Sequence, residues 1–149
     1  MYFVESKQIE DTLSYMENLL KIYEKENISS DFDRLGLERL AHMVIESIID
    51  VGNMMIDGFI MRDPGSYEDV IDILVDEKVV PESSSEAYKS VIRLRVELVK
   101  NYQSIDHSTI ENVMNEHLQT LKQFRQDVLK YLQNEAGTIT TFTKREDES

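Results

Sequence analysis

The 149-residue chain contains no cysteine and no tryptophan. Without cysteine there is no disulfide framework, no thiolate metal site and no cysteine nucleophile. Only two prolines and five glycines interrupt it, which leaves long stretches free for helix and no Gly-rich phosphate loop. Positive charge is scarce: 16 Lys and Arg face 29 Asp and Glu, for a formal net charge of −13. Such a field repels nucleic acid and favours solubility, so any RNA contact needs a local basic patch. Charges break every apolar run before transmembrane length. Met1 to Glu10 carries Glu5 and Glu10 and has no signal-peptide core. The expectation is a soluble, cytoplasmic, single-domain protein with no membrane partner.

Apolar residues recur at helical spacing along most of the chain. Ile9, Leu13, Met16, Leu20 and Tyr23 mark a first helix over Ser6 to Glu26. A second runs from Asp31 to about Met61, with Leu37, Leu40, Val44, Ile48, Val51 and Met55 on one stripe. Met43, Ile45, Ile49, Ile56 and Phe59 widen that stripe beyond half the circumference. A helix this apolar sits centrally in a bundle or at a subunit contact. Asp63-Pro64-Gly65 is a stop, and Ser66 with Asp69 forms a capping-box pattern that opens a short third helix. Val79-Val80-Pro81 ends that segment.

Ser83 to Ser85 offers caps for a fourth helix to about Lys100, with Val91, Ile92, Leu94, Val96, Leu98 and Val99 as its apolar positions. Ser108 and Glu111 form a second capping box, followed by a stripe from Ile110 to Tyr131. No period-2 strand is convincing. The pattern predicts an all-α, antiparallel bundle of about five helices over residues 1–136, and a polar, disordered tail over 137–149.

None of His42, His107 and His117 stands in a metal-type arrangement with carboxylates, so no metal and no cofactor is expected. Asp72 with Asp76, and Glu46 with Asp50, share helix faces and read as solvated acidic surface. One segment runs against the overall charge. Lys89 to Tyr102 holds Lys89, Arg93, Arg95 and Lys100 against a single Glu97. Lys89, Arg93 and Lys100 fall within ~40° of each other on an ideal helix. Such a patch suits RNA phosphate, and equally suits the negative end of a helix dipole.

Several separate stretches together resemble the HepT-like family of the HEPN superfamily. They are Glu38-Arg39-Leu40, Ile48-Ile49-Asp50-Val51-Gly52-Asn53, Pro64 to Val70, Val79-Val80-Pro81, and Arg93-Leu94-Arg95 through Tyr102 to Ile105-Asp106. The resemblance implies a helical homodimer, formed through the long central helix, from a toxin–antitoxin lineage. Active members are metal-independent endoribonucleases. Their partner is a minimal nucleotidyltransferase antitoxin that adenylylates a tyrosine beside the catalytic motif.

That motif is Arg, four residues, His, one residue, Tyr. Here the resemblance puts Arg95 at the arginine, Lys100 at the histidine and Tyr102 at the modified tyrosine, with Val96 where asparagine is frequent. Histidine exchanges protons near neutrality, whereas a lysine of ordinary pKa, ~10.4, stays protonated. Three readings follow: a family member with reduced or lost ribonuclease activity, an active ribonuclease using Lys100, or a non-catalytic module that binds protein or RNA. Positions five apart on a helix point ~140° apart. Arg95 and Lys100 therefore share a ligand only if the helix breaks near Asn101 or two subunits form the cleft.

Overall fold

A computed structural model describes the backbone of residues 6–148 and the side chains of residues 6–135. The chain forms five helices: α1 (Ser6–Lys25), α2 (Asp31–Gly58), α3 (Tyr67–Asp76), α4 (Ser85–Val99) and α5 (His107–Glu148). A short 3-10 turn, Glu82–Ser84, leads into α4. No strand occurs among the described residues. The tail expected over 137–149 falls where side chains lie outside the described residues; the backbone there continues α5 to Glu148.

α2 is the centre of the bundle and packs against each of the other four helices. Leu37, Val44, Ile45, Ile48, Val51 and Met55 are fully or almost fully buried along it. Burial of each such side chain is worth ~1.5–3 kcal/mol against exposure, and a stripe of this width needs neighbours on several sides. The wide apolar face that suggests a subunit contact is thus largely used within the chain. Exposed apolar side chains lie instead at Tyr15 and Ile22 on α1, at Phe32 and Leu35 near the start of α2, at Ile60 after its end, and at Tyr67, Val96, Val99 and Tyr102. Gly52 admits α3: a Cβ at this position would overlap Cγ1 of Val70. From α5, Phe124 meets the buried Tyr88 ring edge-on at 5.4 Å, and the Tyr88 hydroxyl donates to the Thr120 carbonyl.

Helix ends differ from the sequence expectation in instructive ways. α2 stops three residues before Met61 because Ile60 takes a left-handed φ of 55°. The Met61 N–H then reaches back to the Ile56 carbonyl at 2.9 Å, the long hydrogen bond of a Schellman close. α3 ends the same way, with Lys78 at φ 63° and the Val79 N–H on the Leu74 carbonyl. Neither residue is glycine, so nothing local announces the turn. The serines before α4 supply no side-chain cap. At α5 the start falls at His107, and the Asp106 carboxylate accepts the Ser108 N–H at 3.0 Å, so Ser108 is inside the helix and the Ser108–Glu111 box is not formed.

The 59–66 connection is clamped by Asp69. Its carboxylate accepts from both Nη atoms of Arg62, at 2.7 and 2.9 Å, and from the Gly65 N–H at 2.8 Å. The Ser66 hydroxyl meanwhile accepts the Asp69 N–H. Only half of the predicted capping box is therefore made, because the carboxylate turns to the loop. This clamp fixes where Tyr67, the first residue of α3, emerges. The Arg62 guanidinium, and after it the Gly65 N–H, hold the Asp69 carboxyl at about 2, against 3.8 ordinarily. A depressed folded value adds stability above 3.8 that is lost as pH falls through about 2. The urea midpoint is expected to fall across that window more steeply in the wild type than in Asp69→Asn; parallel slopes would mean that the clamp contributes nothing.

Candidate functional site

The four cations of the 89–100 segment do not form one open patch. Lys89 Nζ sits 2.6 Å from Asp72 Oδ1. Arg93 donates from Nε and Nη2 to Glu68, and from Nη1 to Glu86. Both residues are already neutralised by the chain's own carboxylates, and a phosphate at either has to displace one. The acidic face expected to be idle surface thus absorbs part of the basic patch.

Arg95 is held differently. Its Nε donates to Glu46 Oε1 at 2.8 Å, and its guanidinium carbon lies 4.6 Å from the centroid of the Tyr67 ring. The Glu46 carboxylate, as hydrogen-bond partner first and as nearby charge second, raises the Arg95 pKa further above its ordinary value. The two Nη groups make no hydrogen bond among the described residues. This edge is the part of the guanidinium that fits a phosphate with two parallel bonds. Lys100 likewise makes no ion pair among the described residues, and it is exposed.

Arg95 and Lys100 line one groove of about 290 Å³, between the start of α3 and the second half of α4, together with Tyr67, Val96 and Val99. The two valines count by spacing among the apolar positions of α4. They are exposed here because the groove leaves that side of α4 uncovered. The structure therefore brings the two motif residues to one place, although not by breaking the helix between them. Lys100 caps α4 with right-handed backbone angles, φ −98° and ψ −40°. The turn comes afterwards, closed by the Ser104 N–H on the Asn101 carbonyl at 3.0 Å. It redirects Tyr102, which is 61% exposed and lies outside the groove lining.

None of the three histidines lines the groove. His42 Nε2 is 3.3 Å from the same Glu46 Oε1 that holds Arg95. His107 meets Glu38 at 2.7 Å, half-buried. Burial, and then the Glu46 charge, push the Asp50 carboxyl up. No group of three or more His, Asp or Glu among the described residues is placed to hold a metal. Glu46 and Tyr67 are the two site residues that sequence reasoning missed. Glu46 looked like half of a solvated acidic pair, and Tyr67 like a helix-start residue; only the fold sets them against Arg95.

The profile of the family described as ribonuclease HepT-like matches residues 9–128. A Bacillus subtilis (strain 168) protein named as a candidate RNase, YutE, is 42% identical over 143 residues, spanning 95% of this chain and 99% of the relative. The solved YutE structure, described as that of a cytosolic protein of unknown function, matches with a TM-score of 0.89 and 43% identity over 92% of this chain and 96% of that one. A chain of a toxin–antitoxin crystal structure with AMP-PNP matches with a TM-score of 0.70 at 19% identity, over 80% of this chain and 96% of that one. Among the described residues, no helix is long and apolar enough to cross a membrane.

Proposed function

The chain belongs to the HepT-like ribonuclease family, and from that we propose that it is a cytoplasmic, homodimeric member of a toxin–antitoxin lineage whose ribonuclease activity is reduced or lost. The observation that carries the reading is the content of the Arg95 groove, which offers three cations, Arg93, Arg95 and Lys100, no histidine, and one carboxylate, Glu68, that is already held by Arg93. The groove can bind a phosphodiester through the Arg95 fork and Lys100; Lys89 and Arg93 could join only by giving up Asp72, Glu68 and Glu86. Metal-free cleavage needs more: the ribose hydroxyl must lose a proton and the leaving oxygen must gain one. Guanidinium does not deprotonate in proteins. A lysine ammonium donates a proton or stabilises charge at neutral pH but does not accept a proton. The acid half of the reaction is provided for; the one carboxylate in the groove, Glu68, is tied to Arg93, which leaves no free base there.

The lineage also supplies a partner. A minimal nucleotidyltransferase antitoxin would find the Tyr102 hydroxyl in the exposed turn after α4, where it can be adenylylated without unfolding the bundle. Exposed apolar side chains such as Phe32, Leu35 and Ile60 offer surface for a second subunit. Native mass spectrometry of the protein co-expressed with a neighbouring nucleotidyltransferase reads both points. A dimer carrying adenylate on Tyr102 is expected; a bare monomer, or adenylate elsewhere, counts against them.

Catalysis is tested with a labelled RNA, metal-free, as a function of pH. General acid–base catalysis contributes ~10²–10⁴-fold, so the wild type should cleave weakly and gain toward alkaline pH. Lys100→His should raise the rate at pH 7 by at least tenfold, and Arg95→Ala should abolish what there is. Strong wild-type cleavage at pH 7 that disappears in Arg95→Ala would instead establish lysine as a working catalyst.

A further inference from the structure

The Arg95 site differs from its neighbours in how its cation is held. Arg93, two residues earlier on α4 and exposed, spends all three of its guanidinium nitrogens on Glu68 and Glu86. Arg95 spends only Nε, on a single oxygen of Glu46, while the Tyr67 ring supports the face of the guanidinium. Two restraints, a hydrogen bond from Nε and an aromatic ring with its centroid 4.6 Å from Cζ, hold a group that would otherwise rotate about several bonds. The carboxylate is itself backed by His42, whose Nε2 lies 3.3 Å from the same oxygen. Glu46 and His42 come from the buried central helix, and Tyr67 from a helix start clamped by Asp69 and Ser66. All the supports stand on rigid elements, which is what keeps a binding constellation precise.

We propose that Glu46 and Tyr67 are positioning residues for Arg95, presetting its Nη1–Nη2 edge as a clamp for one phosphodiester in the α3–α4 groove. This rests on the RNA-binding part of the reading above, and it adds two residues from outside the motif. A phosphate that meets a preset fork loses less freedom on binding than one that must order a mobile arginine. The acidic partner has a cost, because its charge opposes an incoming phosphate. That cost makes the proposal separable from simple electrostatics. Glu46→Gln removes the charge but keeps an oxygen that accepts from Nε; Glu46→Ala removes both.

Two measurements on the full chain test it. In the ¹H–¹⁵N spectrum of the arginine Nε–H groups, assigned by loss of a signal in Arg95→Lys, the Arg95 resonance should exchange slowly with water and carry a ring-current shift from Tyr67. Glu46→Gln and Tyr67→Phe should preserve it. Glu46→Ala should speed the exchange, and Tyr67→Leu should remove the shift. In parallel, affinity for a short single-stranded RNA should fall about fivefold in Glu46→Ala, the worth of one net hydrogen bond, and should be retained or improved in Glu46→Gln. Tighter binding by both Glu46 variants would show charge alone at work and overturn the proposal. So would an Arg95 signal that is unchanged in Glu46→Ala. Wild-type RNA binding that is indifferent to Arg95→Ala, with the spectra as expected, would reject the RNA reading and leave the positioning geometry standing.

Discussion

The placement of α2 decides the rest of this structure. The helix buries apolar side chains against all four of its neighbours, and one stripe at every fourth position remains polar: Glu38, His42, Glu46 and Asp50. A helix surrounded on most sides cannot leave such a stripe unpaired without cost. The stripe is accordingly met by polar groups from later in the chain. His107, at the start of α5, pairs with Glu38, and Arg95 of α4 pairs with Glu46. The same packing that forms the core thus carries a carboxylate to Arg95.

Charge then sorts the cations. In a chain with a net charge of −13, basic residues find carboxylates readily, and Lys89 and Arg93 are matched on the surface by Asp72, Glu68 and Glu86. Exposed pairs of this kind add little stability, but they take up hydrogen-bond donors. Arg95 differs because only its Nε is hydrogen-bonded among the described residues, to Glu46, while the carboxylate that shares its groove, Glu68, is held by Arg93. Aromatic and aliphatic walls beside an open guanidinium fork suit a phosphate flanked by an unstacked base.

Much of this was legible from the residues. The helical periodicities located all five helices, with every end but that of α5 within a few positions, and the family resemblance singled out Arg95 and Lys100, which both line the groove, and Tyr102, which lies outside it. What was not legible depends on partners distant in sequence. Glu46 and Arg95 are 49 residues apart, and an i,i+4 acidic pair reads the same whether it faces water or an arginine. Val96 and Val99 fit an apolar stripe by spacing, yet the groove leaves them exposed, since periodicity identifies a face and not its neighbour. The ends of α2 and α3 escaped because Ile60 and Lys78 adopt left-handed backbone without the glycine that usually signals it.

The central claim is that phosphate recognition passes through the Arg95 fork and not through the matched cations beside it. The salt dependence of single-stranded RNA binding tests this most directly, because log affinity falls with log salt by ~0.7 for each phosphate neutralised on a single strand. Arg95→Ala should reduce that slope by about one phosphate's worth, while Arg93→Ala, whose side chain is already paired with Glu68 and Glu86, should leave it nearly unchanged. Equal losses of slope in the two variants, or a loss confined to Arg93→Ala, would contradict the account.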